Sequence, residues 1–147
     1  MRNIIIIAVY VLQTISISAQ SIKCADDLKK FYIDYFTYSV DSALEIQFDS
    51  VVVVNCTKDF YDAWHEDMYE IGSYDPLTEG AGGTTKEDLF FTINSIVIEK
   101  EEDYYVASFA FHDWLDNSVA VISVIVYINE EGKIRCTKRP SDGYVTP

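Results

Sequence analysis

At 147 residues the chain has room for one domain and hardly two. Its 24 Asp and Glu against 11 Lys and Arg leave a formal net charge of −13, which argues against a nucleic-acid binder, since such proteins carry a clustered basic surface. Hydrophobic residues at 49% and aromatics at 14% describe a chain that builds a core rather than a disordered one, and three cysteines are too few for a disulfide-dense scaffold.

The first residues read as a leader. Met1-Arg2-Asn3 brings one positive charge, residues 4–12 are apolar, and Thr14 to Gln20 are small or polar apart from two isoleucines. That is the order of a secretory signal peptide, with cleavage expected near Ala19. The apolar run is shorter than the roughly 20 residues that a spanning helix needs. The alternatives are an uncleaved anchor, or a lipoprotein at Cys24, against which Lys23 stands where a small residue is required. The longest later apolar stretch, 119–128, is interrupted by Ser123, so no stable membrane insertion is expected after cleavage. The reading is thus a signal peptide over 1–19 and a single domain over 20–147, with net charge −14, exported to the periplasm or beyond. An oxidising compartment permits one disulfide among Cys24, Cys56 and Cys136, and the pair stays open. No Cys-x-x-Cys occurs, and a nucleophilic cysteine would have only His65 or His112 to activate it.

Along the rest of the chain, helices come first and strands second. Leu28, Phe31, Tyr32, Tyr35, Phe36 and Ala43 recur at three- and four-residue steps, predicting an amphipathic helix over 25–43 with Asp26 and Asp27 in its electropositive first turn. Residues 45–55 are ambiguous, because Val51 to Val54 favour a strand by propensity while a short buried helix also fits. Thr57 is a good helix N-cap, followed by the apolar stripe Phe60, Tyr61, Trp64, Met68 and Ile71, and by Gly72 as a terminator. Residues 73–87 carry loop signals: Asp75-Pro76, then Gly80, Gly82 and Gly83. Strands are expected over 88–99, 104–112 and 119–128, the last apolar on both sides and so expected to be covered on both. Glu130-Glu131-Gly132 predicts a tight turn into a final strand over 133–138, stopped by Pro140. Short connections imply antiparallel pairing, and helices followed by consecutive strands imply an α+β fold.

Several short elements carry a family resemblance. Phe31-Tyr32 followed by Tyr35, the run Asn55-Cys56-Thr57-Lys58-Asp59-Phe60, Tyr74-Asp75-Pro76-Leu77, Tyr104-Tyr105-Val106 and Gly132-Lys133-Ile134 together resemble the small secreted bacterial proteins of domain of unknown function 3828. The last strand departs from the family pattern at Arg135-Cys136-Thr137. The resemblance implies a nuclear-transport-factor-2-like, or cystatin-like, fold, in which helices pack on a curved antiparallel sheet around a cone-shaped pocket. It implies a fold rather than a role, since such pockets serve isomerases, dehydratases, carriers and protein-binding surfaces. It also implies that the Asp75-Pro76 loop lies beside the pocket mouth, where Tyr74 and Asp75 would meet a ligand.

The catalytic signals are weak. His65-Glu66 begins like a zinc-protease helix, but the second histidine must follow one turn later and Tyr69 stands there. His112-Asp113 with Asp116 reads as a solvated turn, or as an acid–base pair. Tyr32, Tyr35, Tyr61 and Tyr105 are at core spacing, with hydroxyls that reach a rim. Asp59, Asp62, Glu66, Asp67 and Glu70 form an acidic helix face. The leading expectation is an exported, non-enzymatic binding protein without a cofactor or metal. Its pocket, with Tyr32, Tyr35, Tyr74, Asp75 and His112 as candidate contacts, would take a small apolar molecule or a protein. The alternatives are an immunity or inhibitor protein that meets a basic toxin through the acidic face, and an isomerase- or dehydratase-like pocket enzyme.

Overall fold

A computed structural model describes residues 21–71, 74–79, 84–113 and 118–140, so the leader, Gly72, the Gly80–Gly83 cluster, Trp114 and Asp116 lie outside the described residues. The fold is α+β. Helices α1 (Ala25–Ser39), α2 (Glu45–Asn55), α3 (Lys58–His65) and α4 (Leu89–Ser95) precede strands β1 (Val97–Lys100), β2 (Tyr105–Asp113), β3 (Ser118–Ile128) and β4 (Ile134–Lys138). The strands form one antiparallel meander in the order β1-β2-β3-β4.

The helix-facing side of the sheet is a packed aromatic core. On α1, Leu28, Phe31, Tyr32, Tyr35 and Phe36 are buried, as their spacing predicts. Phe109 of β2 meets Tyr32 at 5.3 Å and Phe36 at 5.1 Å between ring centroids, largely edge-on to Phe36, and Phe111 adds a second edge contact to Phe36. Trp64 of α3 packs on Phe48 of α2 and on Tyr61. Such offset and edge contacts suit the ring quadrupoles and add to the apolar burial.

Two expectations are corrected and one ambiguity is resolved. The first helix stops at Ser39, because Asp41 instead caps a separate 3-10 turn, Ser42–Leu44, by accepting from the Ala43 N–H at 3.1 Å. The ambiguous segment is helix α2, with Val51 and Val52 buried, so packing overrides the β-propensity of the valine run. Most of the strand expected over 88–99 is helix α4. Thr85 Oγ1 accepts from the Asp88 N–H and opens the turn, and Leu89, Thr92, Ile93 and Ile96 then face inward at helical spacing while Phe90 is 77% exposed. The N-cap of α3 is as expected: Thr57 Oγ1 accepts from the Phe60 N–H. A π-helical turn, Glu66–Ile71, follows α3.

The sheet has two unlike faces. Tyr105, Ala107, Phe109 and Phe111 pair in register with Val126, Val124, Ile122 and Ala120, and these face the helices. Val106, Ser108, Ala110 and His112 pair with Ile125, Ser123, Val121 and Val119 on the outer face. No helix sits in the connections β1–β2 or β3–β4 to cover that face, so Val121 is 68% exposed and the apolar β3 is sheltered on one side only. At the β3–β4 turn Gly132 takes φ +76°, and a methyl there would stand 2.8 Å from the Ile22 nitrogen and against Ser21 Oγ. Those two residues strap the start of the described chain to the turn, Ile22 N–H donating to Gly132 O and Ser21 Oγ to Glu131 O. In β4, Tyr127 pairs with Cys136 and Ile128 with Ile134, so Arg135 is an extra residue, a bulge.

Truncation on the two faces is expected to differ. Phe109→Ala should cost about 3–5 kcal/mol, whereas Val121→Ser should stay within about 0.5 kcal/mol. Urea midpoints at unchanged m-value check this. Equal costs would mean that the outer face is covered.

Candidate functional site

The Asp-Pro turn forms a buried polar cluster. Asp75 Oδ1 accepts from the Leu77 N–H at 2.9 Å, the two-residue side-chain turn that Asp favours. Its Oδ2 accepts from Thr78 Oγ1 and from Tyr35 Oη, both at 2.7 Å. Tyr35 Oη in turn accepts from Trp64 Nε1 at 3.3 Å, and Tyr32 Oη donates to the Leu77 carbonyl. Burial pushes the Asp75 carboxyl above its ordinary range, against the pull of its hydrogen bonds from Tyr35, Thr78 and Leu77. The same burial, helped by the Asp75 charge, holds the Tyr32 and Tyr35 phenols well above theirs. Thus Tyr32, Tyr35 and Asp75 do meet, but with the phenol rings inside the core and their polar atoms bonded to one another and to the turn. All the donors that reach the carboxylate belong to the fold itself.

The other expected residues lie elsewhere. Tyr74 turns away from Asp75, donating to Glu79 Oε2 at 2.9 Å beneath the Arg139 guanidinium. Glu79, left-handed at φ +57° with its side chain largely buried, also pairs with Arg139. His112 stacks on Phe91 at 4.1 Å and its Nδ1 bonds Asp88 Oδ1 at 2.8 Å, which holds the Asp88 carboxyl below its usual range. It stands apart from the Asp75 cluster and at the opposite end of β2 from Tyr105. His65 is half-buried with its ring 4.8 Å from that of Tyr69. On the acidic face Asp59, Asp62 and Glu66 are exposed, and Asp62 pairs with Lys58. All three cysteines are free thiols. Cys24 is exposed, while Cys56 is buried, which pushes its thiol far up and makes it a poor nucleophile. Among the described residues no group of three or more His, Cys, Asp or Glu is placed to hold a metal, and no helix is long and apolar enough to cross a membrane.

A cavity opens on the outer face of the sheet. It is about 150 Å³, lined by Tyr104, Val106, Ile125, Tyr127, Lys138, Arg139 and Pro140. That volume takes one benzene-sized ring. Three strands build it: Val106 faces Ile125 across β2–β3, and Ile125 faces Lys138 across β3–β4. Its mouth is cationic, with Lys138 Nζ 5.4 Å and the Arg135 guanidinium 5.5 Å from the Tyr127 ring centroid. Sequence reasoning missed this groove. Its signals were the alternation that puts Tyr104, just before β2, on the same side as Val106, and the basic run Lys133, Arg135, Lys138 and Arg139 in an acidic chain. Arg139 joins the groove to the Asp-Pro turn, since it lines one and pairs with Glu79 of the other.

The upward shift of the Asp75 pKa has a pH signature. A carboxyl whose folded pKa is raised binds its proton more tightly when folded. Its contribution is therefore full below the unfolded value of about 3.9 and is lost as pH rises through the folded value. Between pH 4 and pH 7 Asp75→Asn should remove that decline, so its denaturation midpoint should fall less than that of the unaltered protein. Parallel pH profiles would show that Asp75 does not titrate in this way. Tyr35→Phe, which strands the Trp64 N–H, should cost about 1–3 kcal/mol at either pH.

No protein-family model, no curated protein and no solved structure matches the chain.

Proposed function

We propose that the chain is an exported binding protein, and that the groove on the outer face of its sheet takes a small, largely apolar molecule. The observation that carries this reading is the 150 Å³ cavity itself, walled by Tyr104, Val106, Ile125 and Tyr127. Concave, mainly apolar sites with a few polar groups are where proteins bind small ligands. On the helix side, by contrast, the expected Tyr32 and Tyr35 fill space with their rings rather than lining any. The leader-like order of the first nineteen residues and the resemblance to secreted bacterial proteins support export to the periplasm or beyond.

The inhibitor reading has one observation in its favour, the exposed carboxylates of Asp59, Asp62 and Glu66 on and beside α3. Lys58 pairs with one of them, and a solvated helix face needs no partner, so the groove is the stronger site. The pocket-enzyme reading would place the base at Asp75, whose oxygens are occupied by the turn and by Tyr35.

Titrating single-ring compounds into isotope-labelled protein should shift the backbone amides of Tyr104, Val106, Ile125 and Tyr127. Val106→Trp, which fills the groove, should weaken that binding about tenfold or more while leaving the amide pattern of the helices in place. Shifts gathered around α2 and α3 instead, or none at all, would remove the groove reading. Intact-mass measurement of the exported product checks cleavage near Ala19.

A further inference from the structure

We propose that the open edge of β3, from Val119 to Ser123, is an interface between two copies of this chain, which pair β3 with β3 antiparallel and join their sheets into one.

The sheet has three edges where a strand could be added, and two are defended. β1 is only four residues long and ends on Glu99 and Lys100, charges that discourage a neighbouring strand. β4 is covered at Ile134, which Cys56 bridges and whose carbonyl accepts from the Thr57 N–H at 2.8 Å. The third edge lies on β3. That strand pairs with β2 along residues 118–126, but β4 takes only 125–128 of its other side, because β4 ends at Lys138. Among the described residues no strand pairs with the remainder.

Backbone direction and side chains agree on what that edge offers. At the β3–β4 turn Asn129 donates to the Lys133 carbonyl and accepts from the Gly132 N–H. Alternation along β3 therefore turns the N–H and C=O of Val119, Val121 and Ser123 to the same side, which for them is the open edge. Such a row is a template for another strand. Val119 and Val121 are 52% and 68% exposed. Residues 117–129 hold no charge, glycine or proline, in a chain with 24 acids.

A second copy fits this edge because a two-fold axis pairs the stretch with its own reverse. Centred on Ala120, it sets Val119 opposite Val121 of the second copy, and Val121 opposite Val119, as β-branched pairs on the outer face. Each of these pairs exchanges both backbone bonds. On the helix side the small Ala120 meets itself. At net charge −13 two copies repel at a distance, and the paired residues add no carboxylate to that repulsion. The contact uses the same patch on both copies, so it closes at a dimer and leaves no edge for a third. It stops short of Ile125, so the groove stays open and the dimer stands or falls apart from it.

Sedimentation equilibrium on the purified protein should show the molar mass rising toward twice that of one chain with concentration. Hydrogen exchange at the Val119 and Val121 amides should slow in step. Val121→Lys, on the solvent side of the sheet, should weaken pairing about tenfold or more while leaving the amide pattern of the helices in place. A monomer at every concentration would overturn the proposal, and slow exchange at both amides in that monomer would show that the chain covers its own edge. A dimer in which Val119 and Val121 still exchange fast, or one indifferent to Val121→Lys, would place the interface elsewhere and overturn it too.

Discussion

The hydroxyl of Tyr35 is where three distant stretches of chain meet. It accepts from Trp64 on α3 and donates to Asp75 on the turn, while its ring lies among Phe31, Phe36 and Phe48. A phenol has one proton to give, and here it goes to a carboxylate inside a low-dielectric core, where a made bond is strong and a missing one costly. The Asp75 carboxylate then shapes the turn through Leu77 and Thr78. The turn in turn reaches β4, because Thr137 Oγ1 donates to the Pro76 carbonyl and Arg139 pairs with Glu79. The position of the strand that carries the groove cations thus traces back to one buried hydroxyl.

Much of this was legible in the sequence. The stripe on α1, the Thr57 cap, the Gly132 turn and the antiparallel meander follow from local periodicity and turn chemistry, which act within a few residues. Where local signals conflicted, packing decided. Val51 and Val52 are strand formers held in a helix because that helix buries them, and Phe90-Phe91 read as strand although Leu89, Thr92, Ile93 and Ile96 share one helical face. Of the candidate contacts, Asp75, Tyr32 and Tyr35 do come together. What their spacing could not reveal is that their polar groups would satisfy one another.

The groove was hidden for a different reason. It takes one or two residues from each of three strands, and no single segment carries its pattern. Only the register, set by two hairpins, places Val106 by Ile125 and Ile125 by Lys138. It also lies on the outer face, away from the end of β2 where Phe91 of α4 stacks on His112. Among the described residues every helix precedes the sheet and the β1–β2 and β3–β4 connections carry none, so one face becomes core and most of the other stays at the surface. Division of labour between the faces is a result of element order.

The extra residue in β4 has its own consequence. Ile134 points into the core and Thr137 toward the turn, although three steps along an ordinary strand would put them on opposite sides; the bulge at Arg135 absorbs the difference. The strand is thereby split into an anchoring half and a surface half with independent parity. Substitutions after Arg135 can remodel the outer face without disturbing Ile134, while straightening the bulge so that Arg135 itself paired with Tyr127 would swap inside for outside along the whole remainder of the strand.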